Sequence, residues 1–172
     1  MRSAVFSASP PGRFASALVF GFSLLLAIDS PGAVENNFAF DVQVLLSPKA
    51  AAKLAALSEK IVIAATYSGE PVPSAEKHAN QIGQIDLGAE HAEILGKSAT
   101  VRISGDKLKR ERLVWIKGPV LLNVNVYSAR HSGPDNILSC DFFDGNLREA
   151  ATKPLALHCA LIVEGTMPKP VQ

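Results

Sequence analysis

The sequence predicts a mainly β protein, an antiparallel β-sandwich of about seven or eight strands with one short α-helix after the first strand. Three observations lead to this fold class. Apolar and polar residues alternate along several short segments, β-branched residues concentrate in those segments, and turns rich in Gly and Pro separate them. This pattern is typical of sandwiches, in which each strand buries one face in a shared core.

The first strand and the helix after it have the clearest local signals. Between Phe38 and Leu46, apolar residues alternate with Ala, Asp and Gln, which places the apolar side chains on one face of a strand. Ser47 and Pro48 follow, and Ser caps free helix amides while Pro tolerates the first turn. An alanine- and leucine-rich stretch then predicts a helix that ends at about Ser58.

The later strands differ in how clearly they are signalled. Ile61–Tyr67 is mainly apolar and rich in β-branched residues, so we expect it to be buried on both faces and to end at Ser68 and Gly69, before Pro71 and Pro73. Glu90–Ile94 fits neither a strand nor a loop clearly, and the charged run Lys107–Arg112 predicts a solvated turn. The remaining predicted strands are Gln84–Leu87, Ala99–Ile103, Val120–Tyr127, Ile137–Phe143 and Leu155–Val163.

Residues 1–33 have the layout of a secretory signal peptide. Arginines precede an apolar run from Phe14 to Ile28, and small residues follow it. The run is about 15 residues long, shorter than the roughly 20 that a membrane-spanning helix needs, so a cleaved leader fits better than an anchor. Cleavage next to Gly32 or Ala33 predicts an exported protein, periplasmic or secreted, without a membrane span.

Length and charge limit the possible classes of protein. Residues 34–165 are expected to form one domain that needs no metal or cofactor to fold, and residues 166–172, which contain two prolines, a flexible tail. The formal net charge is +1 and charged residues make up 19% of the chain, so the basic excess typical of nucleic-acid binding is missing. The aromatic content of 6% gives no signal for a carbohydrate-stacking surface.

The two cysteines, Cys140 and Cys159, predict a structural disulfide. Oxidising compartments favour pairing, and both residues lie in predicted strands. A redox-active pair is usually spaced as Cys-x-x-Cys, whereas these residues are far apart in the chain. The immunoglobulin pattern is also absent, because Trp115 precedes both cysteines instead of lying between them.

The histidines and acidic residues do not form a recognisable metal or catalytic motif. His91 has Glu90, Glu93 and Asp86 nearby, but not with the spacing of a zinc site. His158 lies in the last strand and is expected to be a half-buried structural residue. The acidic turn Asp141, Asp144, Gly145 and Asn146 matches no calcium loop, and no serine nucleophile elbow or phosphate-binding glycine loop is found.

Two predicted loops contain the polar residues most suited to recognition, at Tyr67–Pro73 and Arg130–Asn136. If the strands before them end on the same side of the sandwich, the loops form one polar edge. The same residue types also occur in ordinary turns, so a purely structural role stays open. The predicted ligand-binding residues are Tyr67, Glu70, Arg130, His131, Asp135 and Asn136.

These features predict an exported, non-enzymatic binding or accessory module for a small molecule or another protein, with no nucleic acid, metal or cofactor. One alternative is a hydrolase that uses His91 or His131 with nearby carboxylates. Another is a structural subunit that pairs through an exposed edge strand, such as the strand that begins at Phe38.

Overall fold

The computed structural model describes residues 38–172, which form a mainly β fold of two mixed sheets with few helices. The predicted mainly β class is therefore confirmed. The strands are β1 Phe40–Leu46, β2 Lys60–Pro71, β3 Ile85–Leu95, β4 Ala99–Ile103, β5 Ile116–Ser128, β6 Leu138–Cys140, β7 Phe142–Asn146, β8 Leu155–Leu161 and β9 Pro170–Val171. The helices are α1 Pro48–Leu57 and α2 Leu147–Ala150, and short 3-10 helices span Pro73–His78, Arg110–Trp115 and Ile162–Glu164.

The two sheets have the strand orders β4-β1-β8-β6 and β3-β2-β5-β7-β9. The strand β1 pairs with β8 in parallel, and β7 pairs with β9 in parallel, whereas the other pairs are antiparallel. The prediction of a purely antiparallel fold is therefore wrong, and the described residues contain nine strands instead of about seven or eight. Alternation reports only which face of a strand is buried, so it cannot distinguish the two kinds of pairing.

The strand β1 is an interior strand. Its apolar residues Phe40, Val42 and Val44 are buried, and β4 and β8 hydrogen-bond to its two edges. The suggestion that the strand beginning at Phe38 offers a free edge is therefore wrong. Among the strands of residues 38–172, the outer positions belong to β3, β9, β4 and β6.

Both sheets contribute to one hydrophobic core. Phe40 comes from the four-stranded sheet, Ile63 and Val124 come from the five-stranded sheet, and Leu54 of α1 packs on the same core. Burying side chains of this size contributes roughly 1.5–3 kcal/mol each. The helix α1 begins as predicted, because the Ser47 hydroxyl accepts a hydrogen bond of 3.0 Å from the Ala50 amide.

The strand β2 is longer than predicted and is covered on one face only. Buried and partly exposed residues alternate along it, so the prediction of burial on both faces is wrong. The strand also continues past Gly69 to Pro71 through a register shift between Ser68 and Glu70. A Cβ at Gly69 would lie 2.6 Å from the Ile116 side chain, so this glycine allows close strand packing within the sheet.

The predicted strand Ile137–Phe143 is divided between the two sheets. The strand β6 belongs to the four-stranded sheet and β7 to the five-stranded sheet, and Asp141 is the single residue between them. Near the C-terminus, Pro170 and Val171 lie opposite Phe142 and Phe143. Residues 166–172, predicted to be a flexible tail, therefore contain a short strand.

The predicted signal peptide, residues 1–33, lies outside the described residues. Within residues 38–172, none of the helices combines the length and the apolar character needed to cross a membrane.

Candidate functional site

The register of β2 against β5 separates the two predicted recognition loops. Ile61 lies opposite Ser128, and Pro71 lies opposite Ile116. In this antiparallel pair the end of β2 is next to the start of β5, roughly 30 Å along the sheet from the end of β5. The predicted polar edge is therefore not formed, because its two loops lie at opposite ends of the five-stranded sheet.

The two residues from the first loop have unrelated environments. Tyr67 is buried in the core, and its hydroxyl lies 3.4 Å from a carboxylate oxygen of Glu90. Burial and the Glu90 charge raise the pKa of Tyr67. Glu70 is exposed and forms an ion pair of 2.8 Å with Lys117. Tyr67 is therefore a core residue whose hydroxyl is directed at Glu90.

In the second loop, Asn136 closes the turn internally. Its side-chain oxygen accepts hydrogen bonds from the amides of Ser128, at 2.9 Å, and Leu138, at 3.1 Å. Its side-chain nitrogen donates to the Leu138 carbonyl at 2.8 Å. The amide group of Asn136 is thus used to hold the loop.

The rest of that loop is anchored by two carboxylates. The His131 amide donates to the Glu59 carboxylate at 3.1 Å, and the Nε2 atom of the His131 ring lies 3.0 Å from the Glu93 carboxylate. Arg130, with φ of 64°, and Asp135 are exposed. Ligand binding by these residues stays a prediction, although the structure does not bring them together with Tyr67 and Glu70.

The remaining polar groups also lie apart. A further histidine, His78, stacks on Trp115 with ring centroids 4.4 Å apart. Asp141 is buried in the connection between β6 and β7, whereas Asp144 is exposed in β7. The two carboxylates therefore do not form an oxygen cluster. No group of three His, Cys, Asp or Glu residues within the described part of the chain could hold a metal ion.

A cavity of about 410 Å³ lies over β8, on the solvent side of the four-stranded sheet. Residues of β1, β6 and β8 line it together with the segment Thr166–Lys169. Most of the exposed surface of its lining is apolar, although half of the lining residues are polar, and such a mixture is found in many small-molecule sites. The residues that line it are Leu45, Leu46, Ser47, Ser139, Asp141, His158, Cys159, Ala160, Thr166, Met167, Pro168 and Lys169.

Besides Lys169, the cavity contains an aspartate and a histidine that lie side by side. The Asp141 side chain is only 6% exposed, whereas that of His158 is 65% exposed. His158 Nδ1 lies 3.4 Å from Asp141 Oδ2, which is buried and has no hydrogen-bond partner among the described residues. A carboxylate on Nδ1 favours the tautomer with the proton on that nitrogen and leaves Nε2 for another group.

The other oxygen of Asp141 holds the wall of the cavity. Asp141 Oδ1 accepts a hydrogen bond of 3.1 Å from the Lys169 amide, and the Lys169 carbonyl accepts one of 3.2 Å from Phe142. The Ser139 hydroxyl donates to the Thr166 carbonyl at 2.9 Å. Hydrogen bonds therefore attach the segment Thr166–Lys169 to Ser139, Asp141 and Phe142, so Asp141 and its neighbours hold this wall of the cavity.

The disulfide lies directly beside this pair. Cys140 and Cys159 are bonded, as predicted, and they lie opposite each other on β6 and β8. Asp141 follows Cys140 and His158 precedes Cys159, and the Asp141 amide donates to the His158 carbonyl at 2.8 Å. The covalent link therefore fixes the two strands at the point where the carboxylate and the imidazole meet.

Comparison with known proteins finds no match. Neither a protein-family model, nor a curated protein, nor a solved structure matches this chain. The geometry of the cavity is therefore the basis for any assignment of function.

Sequence reasoning missed the Asp141–His158 pair. It grouped Asp141 with Asp144 because they are close in sequence, and it treated His158 as a structural residue. One signal was available, since each residue is adjacent to one of the two cysteines that were predicted to bond. A disulfide between neighbouring strands brings the flanking residues together as well.

Proposed function

We propose that this chain is an exported β-sandwich binding module and that its ligand occupies the cavity over β8. The shared core of the two sheets supports the sandwich arrangement. The disulfide and the predicted signal peptide support export, because such bonds persist in oxidising compartments. The observation that carries the proposed binding role is the Asp141–His158 pair, a buried carboxylate behind an exposed imidazole in a mostly apolar cavity.

The arrangement of the cavity suits a small ligand with an apolar body and one polar group. Leu45, Ala160 and Met167 offer apolar contacts, while the Nδ1 atom of His158 faces Asp141 and its Nε2 atom is left for a ligand. The apolar lining and the imidazole thus supply affinity and specificity respectively.

Binding at this cavity is tested with short-chain aliphatic carboxylic acids, amines and alcohols, added to the ¹⁵N-labelled exported protein. We expect one of these classes to shift the amide signals of Leu45, Ser139 and His158. The variant His158→Ala should weaken binding of that class at least about tenfold, or roughly 1.4 kcal/mol. His91→Ala is the matched control, since His91 is also exposed but lies on β3, away from the cavity. Shifts elsewhere, or equal affinity in both variants, would contradict this proposal.

A second candidate function is acid–base catalysis at the same pair. A histidine whose Nδ1 faces a buried carboxylate is the arrangement that general bases use in hydrolases. The His158 side chain is exposed to the cavity, so its other nitrogen is accessible to a substrate. Turnover of a panel of small esters that disappears in both His158→Ala and Asp141→Asn, but not in His91→Ala, would favour the enzyme over the binding module.

Export is tested independently of the cavity. The exported protein is expected to begin between Ala33 and Glu35, because the signal peptidase removes the apolar leader. N-terminal sequencing of the protein recovered from the periplasm or the medium measures this directly. An intact Met1 end in a membrane fraction would show that the leader is an anchor.

A further inference from the structure

A second cavity, of about 360 Å³, lies on the solvent face of the five-stranded sheet and has a different chemical character. Its floor is formed by short side chains of the central strands, and the turn between Asn80 and Gln84 forms one wall. The residues that line this polar cleft are Thr66, Tyr67, Ser68, Asn80, Ile82, Gln84, Asp86, Leu121, Leu122, Asn123 and Asp144.

The register of the sheet places three polar side chains in one row across the cleft. Thr66 of β2 lies opposite Asn123 of β5, and Asn123 lies opposite Asp144 of β7. Directly opposite residues project from the same face of a sheet, and neighbouring strands are about 4.8 Å apart. A hydroxyl, an amide and a carboxylate therefore follow one another over roughly 10 Å.

Most of these polar side chains have no partner in the part of the chain that the structure describes. Among residues 38–172, the side chains of Thr66, Ser68, Gln84 and Asp144 form no hydrogen bond or ion pair. Asn123 uses its side-chain oxygen to accept from Asn125, which leaves its side-chain nitrogen as a donor. The cleft thus presents several donors and acceptors side by side.

The charges of the cleft favour an uncharged ligand. Asp86 is held by Lys109 at 2.6 Å and by Arg112 at 3.1 Å, so both cations are already paired with a carboxylate. Asp144 repels an anion such as phosphate, and the two cations beside Asp86 balance the two carboxylates, so the cleft has no net negative charge to attract a cation. What remains is a set of hydrogen-bonding groups suited to neutral hydroxyls.

An exposed apolar residue completes the site. Ile82 is 77% exposed at the rim of the cleft, and it lies on a turn that the Asn80 side chain holds in place. The Asn80 side-chain oxygen accepts from the Ile82 amide at 3.1 Å and from the Gln84 amide at 3.0 Å. A large apolar side chain at the rim of a polar cleft is able to cover the C–H face of a sugar ring and so remove apolar surface from water.

We propose that this polar cleft is a binding site for a neutral saccharide, separate from the cavity over β8. The row Thr66–Asn123–Asp144 hydrogen-bonds the ligand hydroxyls, Asp144 accepts from the most strongly donating of them, and Ile82 packs on the ring. The two sites lie on different sheets, so either proposal stands without the other.

The test titrates the ¹⁵N-labelled exported protein with glucose, maltotriose and chitotriose. At least one of these saccharides is expected to shift the amide signals of Thr66, Gln84, Asn123 and Asp144. Asp144→Ala and Ile82→Ser should each lower its affinity at least about tenfold. Both residues are exposed, and far-UV circular dichroism verifies that the variants fold.

Two control variants distinguish the polar cleft from saccharide binding elsewhere on the protein. Asp135→Ala removes another exposed aspartate, from a loop outside the cleft, and should bind like the unmodified protein. His158→Ala should also leave saccharide binding unchanged. Absence of shifts with all three saccharides, or unaltered affinity in the Asp144 variant, would overturn the inference. Shifts confined to the surroundings of His158 would overturn it as well and assign the sugar to the other cavity.

Discussion

Replacing both cysteines with serine is expected to lower the free energy of unfolding by roughly 3 kcal/mol, because the bond between Cys140 and Cys159 closes a loop of about 20 residues in the unfolded chain. The strand β6 contains only Leu138–Cys140 and lies at the edge of its sheet, so few backbone hydrogen bonds replace the covalent link. The midpoint of thermal unfolding should fall by on the order of 10 °C. Urea unfolding of the two proteins, monitored by circular dichroism, measures the difference.

The same double variant tests whether the disulfide supports the cavity. Because Asp141 and His158 flank the two cysteines, loosening β6 is expected to broaden or shift their amide signals as well. A thiol reductant should destabilise the unmodified protein by a similar amount and leave the double variant unchanged. Equal unfolding midpoints for the oxidised protein and the variant would contradict the stabilising role.

Glu59→Gln is expected to destabilise the fold by about 2 kcal/mol, because hydrogen bonds to a charged group are worth roughly 1.5–3 kcal/mol and several are weakened together. Glu59 is only 3% exposed and follows the left-handed residue Ser58 at the end of α1. Its carboxylate accepts from the amides of Lys60, at 3.0 Å, His131, at 3.1 Å, and Ser132, at 2.6 Å, and from the Ser132 hydroxyl. It therefore ties the loop after β5 to the start of β2.

The contribution of Glu59 should depend on pH in a definite direction. Burial by itself raises its pKa, but the hydrogen bonds from Ser132, His131 and Lys60 outweigh that effect and lower it to about 2 from 4.5. The carboxylate is thus more easily ionised in the folded state than in the unfolded state. Its stabilisation is complete above pH 4.5 and is lost as the pH falls towards 2.

Chemical unfolding of the unmodified protein and Glu59→Gln at neutral and acidic pH measures this effect. The difference between them should shrink as the pH approaches 2. Glu70→Gln is the matched control, because Glu70 is exposed and, among residues 38–172, its only ion pair is with Lys117 at the surface. A difference between the unmodified protein and Glu59→Gln that is constant with pH would argue against an ionised Glu59 as the source of the stability.

Local sequence signals predicted most of the secondary structure and the disulfide. The start of α1 was readable because Ser47 caps the helix and Pro48 allows its first turn. The disulfide was readable because only two cysteines are present in a chain with a predicted export signal. Both inferences depend on residues whose chemistry allows few alternatives.

The candidate sites could not be predicted in the same way, because they depend on which strands are neighbours. The six residues of the predicted recognition edge assume that two loops lie together, and the antiparallel register of β2 and β5 separates them. The polar cleft requires Asp144 to lie beside Asn123, a pairing that follows from the switch of the chain between sheets at Asp141. Alternation along one strand carries no information about its partner.

The sequence by itself determined the mainly β class, the capped helix and the two cysteines that bond. Only the tertiary structure decided that β1 and β8 run in parallel, that Tyr67 belongs to the core and that Asp141 meets His158 in a cavity. The physical reason is that propensity, capping and burial periodicity act over a few neighbouring residues. Strand order and register arise from packing between segments that are distant in the chain, and both candidate sites depend on that packing.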